Sequence, residues 1–360
     1  MTAIYCNPVR SVFGAGALSS LPELTKGRAV ALVTFPEAGA LGLVSRIEGL
    51  LGAQLRCVID KVQPNPDVAE LAATYDAFWA DHPDVEVIVA VGGGSSIDTA
   101  KALTVAAPGE RFADLLAGLS GAQAFVPTRS KELIAVPTTA GTGSEVTPWA
   151  TIWDKARQKK YSLHVNETWP SHAVIDPELM LSLPASVTLQ SGLDALSHAL
   201  EAIWNVNANP VSDTFAVAAV RETMEVLPLL MRKLDDIDLR SRMALAALKA
   251  GMAFSNTKTA LAHSISYEMT LRFGLPHGIA CSFPLPMVLA RAVGRDPARD
   301  RVLAQALGEP LVGASQRLAE FIEGLGVATS FADYGVDEHE AERMVADAQG
   351  GVRGRNFIGA

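Results

Sequence analysis

Residues 87–98 read Val87-Ile88-Val89-Ala90-Val91-Gly92-Gly93-Gly94-Ser95-Ser96-Ile97-Asp98, and this stretch decides the fold. Its apolar, mostly β-branched opening predicts a strand buried on both faces. The glycines then let the backbone approach an anion closely, and the residues behind them open a helix. Ser95 is expected to cap that helix, whose free N–H groups and dipole favour a phosphate. The loop follows the pyrophosphate-binding logic of dinucleotide sites without matching GxGxxG. A tight strand-to-helix turn without a ligand is the other reading of the same residues.

Working outward, Ala29–Val33, Leu55–Ile59 and Leu133–Val136 read as further buried strands, with helical patterns at Glu37–Leu51, Asp67–Trp79 and Ser95–Ala106. Such alternation implies a mostly parallel sheet covered on both faces. Gly14-Ala15-Gly16 matches only the start of GxGxxG and reads as a turn. A second polar loop, Pro137-Thr138-Thr139-Ala140-Gly141-Thr142-Gly143-Ser144-Glu145-Val146-Thr147, follows the strand ending at Val136 and suits contacts to phosphate, ribose or nicotinamide. Beyond about residue 180 the strand signal fades. Helices are expected from Pro184 through Trp204 and over Val211–Leu230, Leu239–Phe254, Thr259–Phe273 and Gln316–Leu325. The expectation is an α/β dinucleotide-binding domain over residues 1–180 and an all-helical, metal-binding domain over residues 181–360. Asp235–Asp238 reads as a solvated acidic loop.

The 360 residues are 49% hydrophobic and 19% charged, which supports a sizeable core and excludes disorder as the main state. Thirty basic against 39 acidic residues give a formal charge of −9, which argues against a nucleic-acid partner. Cys6, Cys57 and Cys281 form no CxxC, as expected of unpaired thiols in a reducing compartment. The N-terminus lacks a basic region followed by an apolar run, and no apolar stretch is long enough to span a bilayer. A cytoplasmic protein with no membrane partner is expected.

Asp194 and His198 stand four apart on a predicted helix and so share a face. His263 lies on another predicted helix, and His277 follows in a Pro276-His277-Gly278 turn. One carboxylate and three imidazoles suit Fe(II), Zn(II) or Co(II). Asp-x-x-x-His alone is also the spacing of a structural hydrogen bond. Beside a nicotinamide, a Lewis acid polarises a carbonyl while hydride moves to or from the cofactor. Leu196, Phe254 and Leu261 are apolar neighbours suited to a dry cavity.

With these residues the sequence resembles the iron-containing (group III) metal-dependent alcohol dehydrogenases, of dehydroquinate-synthase-like fold. The matching stretches are GGGSSIDTAKA (92–102), PTTAGTGSEVT (137–147), GLDALSHALE (192–201), AGMAFSN (250–256) and LPHGIACSFPLP (275–286). The resemblance implies catalysis in a cleft between the two domains and Asp194, His198, His263 and His277 as metal ligands. It implies Gly93, Gly94, Ser95, Asp98, Thr138, Thr139, Thr142 and Lys160 as contacts to NAD(H) or NADP(H), with Fe(2+) or Zn(2+) as the metal. It also implies a homodimer or larger assembly.

Within the family the chain is similar to the phosphonate-metabolism branch, the phosphonoacetaldehyde reductases. The stretches that suggest this are VTPWATIWD (146–154), KKYSLH (159–164), WNVNANPVSD (204–213), SNTKTALAHSISYEMTL (255–271) and RGRNFIG (353–359). That likeness implies reduction of phosphonoacetaldehyde to 2-hydroxyethylphosphonate. Three positions depart from the family pattern. Thr34-Phe35-Pro36 stands where many relatives carry an aspartate that repels a 2′-phosphate, so NADP(H) stays open beside NAD(H). Tyr267 replaces a histidine assigned to proton relay, and is read here as the catalytic proton donor, with water as the alternative. Lys258 replaces a small residue. A cation in an apolar helix wall costs desolvation unless it meets an anion, so Lys258 is read as gripping the phosphonate, ahead of Arg157, His164 and Arg355; a surface lysine pointing outward is the other reading. The rival readings are a short-chain alcohol or lactaldehyde dehydrogenase, an NAD-using lyase of dehydroquinate-synthase type, and a non-catalytic nucleotide-binding protein. Asp194 argues against the maleylacetate reductases, which usually lack that ligand.

Overall fold

The structure, a computed structural model, describes residues 3–122 and 125–360. The chain divides into two compact units. One holds residues 8–138 and 144–179; the other holds residues 180–360, the N-terminal residues up to Asn7, and Thr139–Gly143.

The α/β unit is built on six parallel strands: β1 (Arg10–Phe13), β2 (Val30–Val33), β3 (Leu55–Ile59), β4 (Val87–Gly92), β5 (Glu132–Pro137) and, after a hairpin, β8 (His172–Ile175). The hairpin pairs β6 (Ala150–Asp154) with β7 (Lys159–Leu163). Strand order in the sheet is β1-β8-β5-β4-β2-β3. Strand alternation sends Val30, Leu32, Val87, Val89 and Val91 into one apolar layer with Ile47 and Leu51 of α1 (Leu43–Leu51). Ala31, Val33, Ile88 and Ala90 enter the opposite layer with α2 (Val68–Asp81) and α3 (Gly94–Thr104). Hence the helices that follow β2 and β4, adjacent strands, cover opposite faces. The crevice at their carboxyl ends is the place where open α/β sheets bind ligands.

Among the described residues, strands are confined to the α/β unit, and the second unit is helical. Its site-bearing helices are α4 (Ala185–Ile203), α5 (Pro210–Leu230), α6 (Ile237–Thr257), α7 (Leu261–Phe273) and α8 (His277–Ser282). Four more follow: α9 (Leu285–Ala292), α10 (Pro297–Leu307), α11 (Ala314–Gly324) and α12 (Glu338–Gly350). Asp236, read as surface, caps α6 by accepting the N–H groups of Asp238 and Leu239. No described helix is long and apolar enough to cross a membrane.

Candidate active site: a glycine turn and a histidine–carboxylate centre

The glycine loop lies at the carboxyl end of β4, as the sequence reading expects. Gly92 has φ +154°, and a Cβ there would stand 2.4 Å from Ser96 Oγ, so only glycine fits. Gly93, not Ser95, is the N-cap of α3, and no side chain caps the helix. Because the helix already begins at Gly94, Ser95 falls in its first turn, and its hydroxyl accepts the Asn65 N–H at 3.1 Å. An uncapped helix start behind a glycine turn is suited to a phosphate.

Asp98 is engaged within the protein. Its carboxylate accepts the Ser144 hydroxyl at 2.6 Å and the Thr151 N–H at 2.8 Å. Lys101 is fully buried beside it, donating to Ser144 O, Ser144 Oγ and Trp149 O at 2.7–2.8 Å. Burial pushes Lys101 down to about 8 and the neighbouring Glu145 up to about 7. This buried cluster ties α3 to the loop after β5. Thr138 is buried and its N–H donates to Gly92 O, whereas Thr139 and Thr142 are partly exposed and group with the helical unit. Lys160 lies on β7 with its ammonium 5.1 Å from the Trp153 ring. Thr34, at the end of β2, is buried and donates its hydroxyl to Val91 O.

In the helical unit, α4 buries Asp194, His198 and Glu201 along one face. Asp194 Oδ1 lies 3.4 Å from His263 Nε2 and 3.9 Å from His198 Nε2. His263 is fixed by Glu201. The carboxylate takes His263 Nδ1 at 2.7 Å and also accepts the N–H groups of Ala260, Ala262 and His263 at 2.5–3.2 Å. It therefore caps α7 from another helix and favours a proton on Nδ1, so that Nε2 is the ring nitrogen turned toward Asp194. His198 Nδ1 meets Gly141 O at 3.3 Å, and its ring stacks on Phe254 and His263. His277 opens α8. The glycine after it is required, since a Cβ at Gly278 would stand 2.0 Å from Gln190 O.

Asp194 Oδ1 and His263 Nε2 are buried and make no hydrogen bond, although they face one another. Orphaned donor atoms of this kind are costly unless an ion joins them. Asp194, His263, His277 and Cys281 each offer a ligand atom within 4.8 Å of the others, and His198 flanks them. This donor set fits a divalent transition metal. Burial pushes His198 down to about 4, so it is neutral and able to ligate at pH 7. Burial acts to raise Asp194, but the imidazoles of His198, His263 and His277 outweigh it and hold the carboxyl below its usual range.

The sequence reading missed Glu201 and Cys281. Glu201 stands three residues after His198, yet its role appears only through contacts with α7. Cys281 was legible by spacing, one helical turn after His277, with Sγ 3.6 Å from the ring nitrogens. Tyr267 is half-buried one turn after His263, beneath the Arg353 guanidinium. Lys258 corrects an expectation: it is exposed at the C-cap of α6, not set in an apolar helix wall. Its backbone (φ 68°, ψ 171°) occupies a region normally left to glycine, because the chain must turn sharply between α6 and α7. Arg157 is held by Asp154 at 2.9 Å, His164 stacks on Trp149, and Arg355 is exposed.

Comparison with known proteins agrees with this fold. Residues 8–177 match the family described as iron-containing alcohol dehydrogenase, and residues 188–357 match its C-terminal domain family. The NAD-dependent methanol dehydrogenase of Bacillus methanolicus is 35% identical over 95% of this chain and 92% of its own length. The 1,3-propanediol dehydrogenase of Citrobacter freundii is 32% identical over 96% and 89%. Among solved structures, the sulfoacetaldehyde reductase of Bifidobacterium kashiwanohense, in complex with NAD+, superposes with a TM-score of 0.88 at 27% identity, covering 99% of this chain and 95% of that one. The chain belongs to the iron-containing alcohol dehydrogenase family and is an oxidoreductase.

Proposed function

We propose that the chain is a metal-dependent, NAD(P)H-linked aldehyde reductase that converts phosphonoacetaldehyde to 2-hydroxyethylphosphonate. The observation that carries the chemistry is the pair of orphaned donors, Asp194 Oδ1 and His263 Nε2, inside a buried histidine cluster. The substrate class draws support from the likeness to a sulfoacetaldehyde reductase, whose named substrate carries a sulfonate where the proposed one carries a phosphonate.

In this reading Asp194, His198, His263 and His277 hold the ion, with Cys281 beside them. Bound there, Fe(2+) or Zn(2+) supplies Lewis acidity toward the carbonyl, and the reduced nicotinamide supplies the hydride. Glu201 keeps the His263 proton on Nδ1, and Gly141 O does the same for His198. Tyr267 supplies the proton that the alcohol oxygen takes up. Lys258 attracts the anionic end of the substrate, and remote binding of that end orients the aldehyde. Gly93, Gly94, Ser95, Asp98, Thr138, Thr139, Thr142 and Lys160 serve the cofactor, Asp98 by holding the loop that carries Ser144. Thr34-Phe35-Pro36 places no carboxylate at the end of β2, so NADPH is accepted alongside NADH. The second reading, a dehydrogenase of neutral short-chain alcohols, is favoured by the methanol and propanediol dehydrogenases among its relatives.

The test compares chelator-stripped protein with protein reloaded with Fe(2+) or Zn(2+). The reloaded enzyme should oxidise one NAD(P)H per phosphonoacetaldehyde, and the stripped enzyme none. Product formed without net cofactor oxidation would replace the reductase with a lyase.

A further inference from the structure

We propose that Arg353 is the anion-binding residue of the substrate pocket, its guanidinium taking two oxygens of a tetrahedral oxyanion on the aldehyde. The inference rests on the reductase reading and names the residue that selects the substrate.

The segment that carries Arg353 is pinned on both sides. Asn356 Nδ2 donates to Thr259 O at 2.8 Å, Val206 N–H donates to Asn356 O at 2.8 Å, and Ile358 N–H reaches Trp204 O at 3.2 Å. Phe357 is buried, and a Cβ at Gly354 would stand 2.0 Å from Ala348 O. Arg353 is therefore set in place and is not a swinging tail side chain. Its guanidinium lies 5.0 Å from the Tyr267 ring, one helical turn along α7 from His263.

Other inward-facing arginines of this unit have acceptors. Arg299 binds Asp213 through two nitrogens, and Arg240 donates to Leu183 O, Thr188 Oγ1 and Leu234 O. Among the described residues, the Arg353 side chain has no hydrogen-bond acceptor and no ion pair; its partner is the Tyr267 ring. The carboxylate whose charge reaches it, Glu201, already takes four N–H groups. Burial lowers the pKa of this guanidinium. The guanidinium is only partly buried, so its donors stay within reach of an arriving anion that no protein acceptor competes for. The planar fork of arginine suits two oxygens of a phosphonate or sulfonate better than a point charge does. Lys258 adjoins the same segment, since its neighbour Thr259 is bonded to Asn356, and it supplies an outer, exposed charge.

The experiment uses the Fe(2+)-loaded holoenzyme as wild type, R353Q and R353K, with phosphonoacetaldehyde, sulfoacetaldehyde and acetaldehyde. The readout is the kcat/KM ratio of each anionic aldehyde to acetaldehyde, together with calorimetric affinity for unreactive ethylphosphonate. R353Q should cut the ratio at least about 30-fold, which is about 2 kcal/mol, and weaken ethylphosphonate in parallel. R353K should fall between, since it keeps the charge without the fork. A larger loss on phosphonate than on sulfonate assigns the dianion as the ligand; equal losses assign any tetrahedral oxyanion. If R353Q does not fold, R353K carries the test, and an unchanged ratio and affinity in R353K overturn the proposal. A wild type that prefers anionic aldehydes, with a folded R353Q that keeps the preference, overturns Arg353 alone. A wild type with no preference overturns the substrate reading beneath it.

Discussion

Replacing Glu201 by glutamine tests whether the metal centre is organised from behind. The fully buried carboxylate accepts four N–H groups: Ala260 N and His263 Nδ1 on Oε2, Ala262 N and His263 N on Oε1. Glutamine turns one oxygen into an NH2 group, so two of the four donors lose their acceptor in either orientation. If the NH2 takes the place of Oε1, two backbone N–H groups of α7 are orphaned. At about 1–3 kcal/mol each, that costs roughly 2–6 kcal/mol of stability. If it takes the place of Oε2, Ala260 N–H is orphaned and His263 must accept on Nδ1. Its proton then moves to Nε2, the atom that faces Asp194, and the proposed metal would lose a ligand. Loss of such a supporting carboxylate typically costs 10- to 100-fold in metal affinity. The assay is chelator competition for Zn(2+) and Co(2+), with melting of the stripped and loaded forms. We expect weaker binding, a lower melting temperature of the stripped protein, or both. E201Q with unchanged affinity and stability would refute the reasoning.

Three further outcomes follow from the same geometry. With Cys281 Sγ inside the donor cluster, Co(2+)-loaded protein should show a thiolate-to-metal charge-transfer band that C281S abolishes; a wild type without the band removes Cys281 from the ligand set. Burial raises Glu145 to about 7 from 4.5, so its folded form binds a proton more tightly than its unfolded form. The stabilisation is complete below about pH 4.5 and is lost as pH rises through 7, amounting to ~3 kcal/mol. E145Q should flatten that part of the denaturant-unfolding pH profile, and an unchanged slope would contradict the account. G92A forces a Cβ within 2.4 Å of Ser96 Oγ at φ +154° and should cost about 1–3 kcal/mol, with a parallel loss of NADH affinity by fluorescence titration; an unperturbed variant would mean that the turn tolerates a side chain.

Elements buried on both faces were the most legible. Val30–Val33 and Val87–Gly92 are continuous apolar runs, and all their residues are buried. The edge strand Arg10–Phe13 is short and largely exposed, so no apolar run announces it. In the hairpin, β6 is almost wholly buried, whereas β7 mixes two lysines with Tyr161 and stays partly exposed, so no apolar run or clean alternation announces it. Prolines at 276, 284 and 286 mask α8 and the start of α9, although Pro276 and Pro284 serve as N-caps and Pro286 sits in the first turn of α9. In the site, helical spacing revealed Asp194 with His198, since both lie on one element. Glu201 acts across 62 residues of sequence, and that distance left no local mark. Lys258 and Arg353 show the converse: a basic residue in a suggestive segment does not reveal its burial, and the half-buried cation proved to be the arginine.

The central claim is hydride transfer to an aldehyde bearing an anion, at a metal held by Asp194 and the histidines. Its most direct test is the ratio of kcat/KM for phosphonoacetaldehyde to that for acetaldehyde, measured on Fe(2+)-loaded enzyme with NADH and with NADPH. The account predicts a ratio of about a hundredfold or more, on the order of 2.7 kcal/mol of differential transition-state binding. Equal specificity constants would contradict it and leave a dehydrogenase of neutral short-chain alcohols in its place.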